Sequence, residues 1–311
     1  MSPVRVAAID CGTNAIRLLI ADVDPVAGTL VDVDRRMEIV RLGEGVDRTG
    51  RLAPEALART FAACDTYLGV IRATGAAAPR FVATSASRDA SNRTDFEHGV
   101  HARFGVLPEV ITGADEASLS FGGATRELLG ADSDVKAPFL VVDIGGGSTE
   151  FALGTMSPEA SISVDIGCVR MTERHLHDDP PNREQVAAAT HDIDTAIETA
   201  GQVVPFASAR SLIGLAGSVT TLAAISMSLP AYDSQRIHRS VVSADEVRRV
   251  SELLLTMTRA QRAALPVMHP GRVDVIGAGA LVLRRIVDAT GVDEVVVSEH
   301  DILDGLAWSQ V

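Results

Sequence analysis

The clearest structural signal in this sequence is the segment Phe139-Leu-Val-Val-Asp143-Ile-Gly-Gly-Gly-Ser-Thr-Glu150. Its apolar start predicts a buried β-strand, and the glycines that follow predict a tight turn. The apolar residues of Thr149–Gly154 and Ala160–Val164 predict two further strands, so that the segment opens a β-meander. Asp143 therefore stands at the end of a strand, directly before a glycine turn.

The same arrangement occurs a second time near the N-terminus. The apolar run Val4–Asp10 leads into the turn Asp10-Cys-Gly-Thr-Asn14, and Ala15–Asp22 and Val31–Leu42 predict two more strands. The two copies lie about one domain length apart. This spacing indicates a duplicated fold rather than an array of short repeats.

Outside the meanders, predicted helices alternate with short strands, which is typical of an α/β protein. The predicted helices span 54–73, 95–104, 114–129, 167–177, 182–200, 272–290 and 298–308. The short strands are predicted at 80–84, 109–111, 210–215 and 294–297. A domain boundary is predicted near 120–135, where Gly122-Gly123 and the polar stretch Gly130–Lys136 lie.

The composition excludes several classes of protein. Of 311 residues, 22% are charged and 46% hydrophobic, which excludes intrinsic disorder. The formal net charge of −13 argues against DNA or an anionic membrane as a partner. The cysteines, Cys11, Cys64 and Cys168, are far apart, so neither a disulfide framework nor a zinc site is expected. Neither a membrane helix nor a signal peptide is expected. These features predict a cytoplasmic protein.

Both glycine turns have the chemistry of a phosphate site, because glycine lets backbone N–H groups approach a phosphate closely. The candidates for phosphate binding are Gly12, Thr13, Asn14, Gly145, Gly146, Gly147 and Ser148. The carboxylates of Asp10 and Asp143 are candidate ligands of Mg²⁺, which prefers oxygen ligands. Each turn taken alone is also compatible with an ordinary hairpin, and it is their repetition that favours the phosphate interpretation.

A third glycine turn lies in Gly214-Leu-Ala-Gly217-Ser-Val-Thr-Thr221 and is predicted to open a helix. The free N–H groups and the dipole of a helix N-terminus bind anions, so Gly217 and Ser218 join the candidates. Three arginines lie near the turns in the sequence, namely Arg17, Arg88 and Arg93. Arg88 lies in a hydroxyl-rich segment that is predicted to be a loop after a strand. Each arginine is equally compatible with an ordinary surface position.

Acidic residues near the turns are candidates for activating a water molecule. Asp115 and Glu116 lie in the first turn of a predicted helix, where Thr112 and Asp115 also form the pattern of a capping box. Glu150 lies on the strand after the triglycine turn, where a carboxylate can orient or deprotonate water for attack on phosphorus. The sequence alone leaves the role of His238 undecided.

Taken together, these motifs resemble the exopolyphosphatase / guanosine pentaphosphate phosphohydrolase family. The matching segments begin at Asp10, Ala83, Asp143, Gly214, Arg272 and Val297, and they occur in order along the whole chain. The resemblance implies an actin-like ATPase fold, with two ribonuclease-H-like domains around a central cleft. It places these domains at 1–125 and 126–297, with the C-terminal helix 298–311 completing the first domain.

The resemblance also implies roles for individual residues. Glu116 is similar to the catalytic base of the family, and Asp143 and Glu150 are similar to the carboxylates that hold metal and water. The phosphate contacts implied are Asn14, Arg17, Arg88, Arg93 and the glycine turns. The sequence departs from the family pattern at Ala15, where serine is usual, and at Arg239, where glycine is usual. The extra C-terminal helical domains of long members are absent, which predicts a preference for shorter polyphosphate chains.

We therefore expect an exopolyphosphatase that hydrolyses terminal phosphates, processively or stepwise, with Mg²⁺ or Mn²⁺ and as a homodimer. Guanosine pentaphosphate 5′-phosphohydrolase is the nearest alternative, because it would use the same residues. A kinase of the actin-like superfamily and a non-catalytic alarmone-binding sensor are alternatives of other classes. The presence of Glu116 and Glu150 counts against the sensor.

Overall fold

A computed structural model describes residues 2–129 and 134–311 of the chain. The strands are β1 (Val4–Cys11), β2 (Ala15–Asp24), β3 (Thr29–Ile39), β4 (Arg80–Ala83), β5 (Glu109–Val110), β6 (Phe139–Ile144), β7 (Thr149–Gly154), β8 (Pro158–Val164), β9 (Ser211–Leu215), β10 (Val241–Ser243) and β11 (Glu294–Val297). The helices are α1 (Val46–Thr49), α2 (Pro54–Thr74), α3 (Ser85–Asp89), α4 (Arg93–Phe104), α5 (Gly113–Thr125), α6 (Cys168–His175), α7 (Arg183–Val203), α8 (Ala216–Ser226), α9 (Ser234–Ile237), α10 (Ala244–Thr256), α11 (Arg259–Ala263), α12 (Ile276–Thr290) and α13 (Ile302–Trp308). Short 3-10 turns lie at Arg126–Leu129, Phe206–Ser208 and Pro270–Arg272.

The chain forms two compact units. Unit 1 comprises residues 1–123 and 302–311, and unit 2 comprises residues 124–301. The sheet of unit 1 has the strand order β3-β2-β1-β4-β5. Its first three strands are antiparallel, whereas β4 runs parallel to β1 and β5 runs parallel to β4.

Unit 2 repeats this plan. Its sheet has the order β10-β11-β9-β6-β7-β8, with β6, β7 and β8 antiparallel and with β9 and β11 parallel to β6. Strand β10 adds an antiparallel edge beside β11. The strands β6, β7, β8, β9 and β11 therefore correspond to β1 to β5, which confirms the duplicated α/β fold predicted from the sequence.

Helices cover both faces of the sheet in unit 1. Residues of β1 alternate between the faces, so Ala7 and Ile9 pack with α2 and α4 whereas Val6 and Ala8 pack with α13. The hydroxyl of Tyr67 on α2 donates to the backbone oxygen of Ile16 at 2.9 Å. The apolar side chains of α2 thus reach the sheet while the buried hydroxyl of Tyr67 keeps a partner.

The C-terminal helix α13 belongs to unit 1 although its sequence follows unit 2. Its Asp304 is buried and accepts from Arg35 of β3 at 2.6 Å. Burial lowers the pKa of Arg35, but Asp304 and Asp32 outweigh this effect and raise the pKa above its ordinary value. A buried aspartate with a charged partner fixes the position of α13 on the sheet.

Unit 2 has one large core. Apolar residues of β6 and β7 pack against α7, α10 and α12. Helix α7 begins with a capping box, in which the Asn182 side chain accepts from the backbone of Glu184 and Gln185. Ser243 is the N-cap of helix α10, and its side chain accepts a hydrogen bond from the backbone N–H of Glu246.

Several boundaries differ from the predictions. Helix α12 begins at Ile276 rather than at 272, because residues 270–272 form a 3-10 turn opened by a proline. The terminal helix begins at Ile302 rather than at 298. The segment that contains Arg88 is the short helix α3, not a loop. Residues 130–133 of the predicted boundary region lie outside the described residues.

All three cysteines are free thiols in buried positions. Burial is the main cause that raises the pKa of the Cys64 thiol to about 12. Among the described residues, no helix is both long and apolar enough to cross a membrane.

We predict that Gly305→Ala lowers the free energy of unfolding by about 1–3 kcal/mol or more, as overpacking does. A Cβ at this position would lie 2.1 Å from the backbone oxygen of Leu119 on α5, and a backbone atom cannot rotate away. Chemical denaturation with a two-state fit measures the change.

The matched control is Gly69→Ala. Gly69 is a glycine within α2, and nothing lies within 4 Å of the position that a Cβ would take there. This exchange should raise the stability by up to about 1 kcal/mol, because alanine favours the helix. If both variants change stability equally, the contact of α13 with α5 is not close.

Candidate active site

The strand-end aspartate of unit 1 is paired with an arginine. Asp10 of β1 lies directly opposite Arg17 of β2 in the antiparallel register. The Nη2 and Nε atoms of Arg17 both donate to Oδ2 of Asp10, at 2.6 and 3.0 Å. Since Asp10 is almost fully buried, this pair places the negative charge next to a fixed cation.

The turn between β1 and β2 is held by backbone contacts. Gly12 N donates to Ala15 O at 2.9 Å, and Gly43 N donates to Thr13 O at 2.8 Å. A Cβ at Gly43 would lie 2.3 Å from the Thr13 methyl group, so only glycine permits this approach. The buried Oγ1 of Thr13 and Oδ1 of Asn14 have no hydrogen-bond partner among the described residues. These polar atoms are suited to a ligand, because buried polar groups normally have partners.

Arg88 and Glu116 come together in unit 1. Nη1 of Arg88 donates to Ile111 O at 3.0 Å and lies 3.4 Å from Oε2 of Glu116. The Glu116 side chain is only 12% exposed. Helix α3 supplies the arginine and the first turn of α5 supplies the glutamate.

The neighbouring acid, Asp115, has a different role. Its Oδ2 accepts from the hydroxyl of Thr112 at 2.6 Å and from the Thr112 backbone N–H at 3.2 Å. These hydrogen bonds hold the pKa of Asp115 below its ordinary value. Asp115 therefore caps the helix, as the capping-box pattern predicted, and Glu116 is the acid that contacts Arg88.

Arg93 lies at the start of α4, and its side chain is about half exposed. Its Nε is 3.7 Å from Glu97 one helical turn later. The structure thus shows Arg93 in a surface pair within its own helix, and its phosphate contact stays a prediction.

In unit 2 the strand-end aspartate lies opposite another acid. Asp143 of β6 and Glu150 of β7 are direct partners in the antiparallel register, and both are buried. Ser163 of β8 continues the row, and its hydroxyl donates to Oε1 of Glu150 at 2.7 Å. Carboxylate oxygens are the ligands that Mg²⁺ prefers, so this row is a candidate cation site.

The two units differ at this row in one informative way. Arg17 follows Asp10 at the same spacing as Glu150 follows Asp143, and each is the cross-strand partner of its aspartate. Unit 1 carries its own cation in the row, whereas unit 2 carries a second carboxylate. The pair of oxygen ligands in unit 2 fits Mg²⁺ or Mn²⁺, which prefer carboxylates and water. At Asp10 the adjacent guanidinium of Arg17 is itself a cation, and it disfavours the binding of a metal ion there.

The triglycine turn of unit 2 is bound to the start of α6. The carbonyl oxygens of Gly145 and Gly146 accept from the backbone N–H groups of Cys168 and Val169, each at 2.9 Å. A Cβ at Gly167 would lie 2.3 Å from the backbone of Gly146, so the helix approaches only because this residue is glycine. The turn is therefore rigid, and its carbonyl groups are engaged by the helix.

The third glycine turn opens α8 as predicted and is accompanied by an arginine. The guanidinium of Arg272 lies against Gly217, where a Cβ would be 2.3 Å away from it, and Nη1 donates to Thr221 at 3.1 Å. The side chain of Ser218 likewise lies against Gly279, where a Cβ would collide with it. The turn itself begins at Ala216, which has a positive φ of 65°.

Arg272 is a candidate phosphate ligand that the sequence reasoning misses. Its segment, Arg272-Val-Asp274, matches a motif of the family, but its distance in sequence from Gly217 gives no sign of contact. A guanidinium at the N-terminus of α8 adds positive charge where the helix already favours anions.

Comparison with known proteins gives the family and the fold of the chain. A model of the Ppx/GppA phosphatase family matches residues 19–311. Exopolyphosphatase 2 of Mycobacterium tuberculosis is 52% identical over an alignment of 320 residues that covers 99% of both chains. The crystal structure of an exopolyphosphatase-like protein is 42% identical, with a TM-score of 0.94 and with 99% of this chain and 98% of that chain covered. A PPX-GPPA enzyme of Aquifex aeolicus is 28% identical, with a TM-score of 0.81 and with 98% and 99% covered.

Proposed function

The chain belongs to the Ppx/GppA phosphatase family, and we propose that it is an exopolyphosphatase, a hydrolase that removes terminal phosphates from inorganic polyphosphate. The observation that carries this proposal is the 52% identity, over 99% of both chains, to a protein named Exopolyphosphatase 2. The buried acids, glycine turns and arginines described above supply the groups that hydrolysis of a phosphoanhydride bond requires.

Each unit would offer its own groups to phosphate. Unit 1 would offer the hydroxyl of Thr13 and the side-chain NH2 group of Asn14 as donors in the first glycine turn. Unit 2 would offer the N–H groups of Gly146 and Gly147, since that of Gly145 already donates to Ser148 O, and the N-terminus of α8 with Arg272. Because the turns are fixed by backbone hydrogen bonds, they lose little freedom when a phosphate binds.

Asp143 and Glu150 would hold a divalent cation, Mg²⁺ or Mn²⁺. When bound, such a cation neutralises charge on phosphate oxygens. The protein contributes the two buried carboxylates and the hydroxyl of Ser163, which keeps Glu150 in place. Substitution of Ser163 would therefore affect metal binding through the position of Glu150.

Glu116 would accept a proton from the attacking water. A guanidinium next to a carboxylate favours the ionised carboxylate, which is the form that can accept a proton. Arg88 provides this neighbour at 3.4 Å and is itself held by Ile111 O. The contact with Arg88 also leaves Glu116 with few orientations, so the base is positioned before substrate binds.

The overall charge of −13 repels a polyanion, so attraction must come from local groups. The named arginines, backbone N–H groups and cation would supply it. A homodimer, the absence of DNA binding and a cytoplasmic location stay predictions.

We predict that Glu116→Gln lowers kcat for polyphosphate by about 10²–10⁴-fold, the usual contribution of a general base. Release of orthophosphate from a defined polyphosphate measures it. The matched control is Asp115→Asn, which changes the neighbouring acid in the same way and keeps a capping side chain. The control should retain wild-type activity. If Glu116→Gln retains most of its kcat, Glu116 is a structural acid only.

Asp143→Asn should raise the Mg²⁺ concentration needed for half-maximal hydrolysis by at least about tenfold, because one of two charged ligands is lost. A Mg²⁺ titration of the rate measures the shift. Excess chelator should abolish the activity of the wild-type protein. Full activity in chelator would remove the metal from the reaction.

Arg88→Ala should raise KM for polyphosphate by about 10–100-fold, since a charge-assisted hydrogen bond contributes roughly 1.5–3 kcal/mol. Arg88→Lys should restore only part of the loss, because lysine lacks the planar fork. Arg80→Ala is the control, as Arg80 pairs with Glu109 at a similar exposure. An equal KM in the Arg88→Ala and Arg80→Ala variants would contradict a phosphate contact at Arg88.

A further inference from the structure

A cluster of three ligand-type side chains lies in unit 2 apart from the residues used above. Within residues 2–129 and 134–311, Glu127, His238 and His300 each offer one ligand atom, and these atoms all lie within 4.8 Å of one another. Nε2 of His238 is 2.5 Å from Oε1 of Glu127, and Nδ1 of His300 is 3.6 Å from Oε2. The two imidazole rings lie 4.4 Å apart between centroids.

Three separate segments bring these side chains together. Glu127 lies in the 3-10 turn after α5, His238 follows α9, and His300 follows β11. The backbone N–H of His238 donates to Ser234 O at 2.8 Å, and that of His300 donates to the Ser298 hydroxyl at 3.0 Å. The backbones of both histidines are thus fixed by hydrogen bonds to neighbouring residues.

The residue after His238 is held in an unusual conformation. Arg239 has a positive φ of 61°, the left-handed region that favours glycine. Its N–H donates to Val297 O at 2.7 Å, which ties the His238 loop to the end of β11 just before His300. The loop therefore keeps a strained residue that helps to fix His238 near His300.

We propose that Glu127, His238 and His300 bind a divalent transition-metal ion of the zinc type. Two imidazole nitrogens and one carboxylate oxygen are a ligand set of Zn²⁺ and Co²⁺, whereas Mg²⁺ prefers oxygen ligands alone. A fourth position would be taken by water, since the side chains of Glu127 and His300 are about one third exposed. This site shares no residue with the carboxylate row of Asp143 and Glu150.

The spacing of the ligand atoms suits such an ion. Tetrahedral bonds of about 2.0–2.1 Å place ligand atoms roughly 3.4 Å apart. The observed separations of 2.5 and 3.6 Å lie on either side of this value. Nε2 of His238 and Oε1 of Glu127 must therefore move apart by about 1 Å to bind one ion.

The charged or titratable groups at the cluster are Glu127, the two histidines and Arg239. Arg239 is the one fixed positive charge among these groups, and it opposes a bound cation.

Binding must displace one proton. The N–H of Glu299 donates to Nδ1 of His238 at 3.2 Å, so in the neutral ring the proton is on Nε2, facing Glu127. A metal at Nε2 takes the place of this proton, and Nδ1 must then carry the proton of the neutral ring. The long hydrogen bond from the Glu299 N–H is given up, because Nδ1 becomes a donor.

The position of the cluster along the chain gives the ion a structural role. Glu127 lies shortly after the point where the chain passes from unit 1 to unit 2, and His300 lies shortly before the point where it returns. A bound ion would join these two segments to the His238 loop within unit 2. Metal binding would thereby stabilise the ends of unit 2.

The test is a titration of the tag-free full-length protein with Co²⁺ in excess Mg²⁺. Mg²⁺ occupies sites made of oxygen ligands, and the d–d absorption of Co²⁺ reports nitrogen ligands and low coordination number. We expect one Co²⁺ per chain, displaced by Zn²⁺. His238→Gln and His300→Gln should each weaken the affinity by about 100-fold, at least as much as the loss of a supporting residue does.

The matched control is His175→Gln, which removes another imidazole that lies 2.9 Å from a carboxylate, that of Asp192. Its Co²⁺ affinity should equal that of the wild type. Thermal unfolding without metal shows whether each variant is folded, and Co²⁺ should raise the Tm of the wild-type protein but not of His300→Gln. No Co²⁺ bound to the wild-type protein, or equal binding by His300→Gln and His175→Gln, would overturn the proposal. No polyphosphate is used, so the result is independent of the hydrolase activity.

Discussion

The opposition of Asp143 and Glu150 across two strands is the constraint on which the proposed chemistry depends. Two buried carboxylates in direct register repel each other unless a cation lies close by. In unit 1 the corresponding pair is Asp10 and Arg17, which neutralise each other. One fold, used twice, therefore provides an acid–arginine pair in unit 1 and an acid–acid pair in unit 2 at the same register position.

Glycine at a few positions makes the turns after these rows possible. Gly167 allows α6 to reach the triglycine turn. Gly43 allows the loop in which it lies to pack against Thr13. Both turns are consequently rigid before any ligand binds. A rigid turn with available polar groups suits phosphate, because its N–H groups need not reorganise when the anion arrives. Local fixed groups of this kind are what an acidic protein needs to bind a polyanion.

The sequence is sufficient to predict the strands of both meanders and their duplication, because apolar runs ended by glycine are local signals. It is also sufficient to predict that Thr112 and Asp115 cap a helix. It is insufficient where a contact joins distant segments. Arg272 lies against Gly217, and Glu127 lies against His238, through folding that spacing along the chain does not reveal. The prediction of a loop at helix α3 is wrong, since a helix of five residues has no amphipathic period to detect.

The family resemblance supplies roles that residue patterns alone leave open. From its position in the sequence alone, Glu116 is an ordinary acid at the start of a helix. Its match to the family motif suggests a catalytic base. The structure adds that Glu116, and not Asp115, contacts Arg88. The roles of the site residues and of the metal stay proposals, and the geometry of these groups is what supports them.

The most direct test of the account is orthophosphate release by the purified protein, compared between short polyphosphate, long polyphosphate and guanosine pentaphosphate at saturating Mg²⁺. We expect the highest kcat/KM for polyphosphate. A higher kcat/KM for guanosine pentaphosphate, or no release from any polyphosphate, would contradict it.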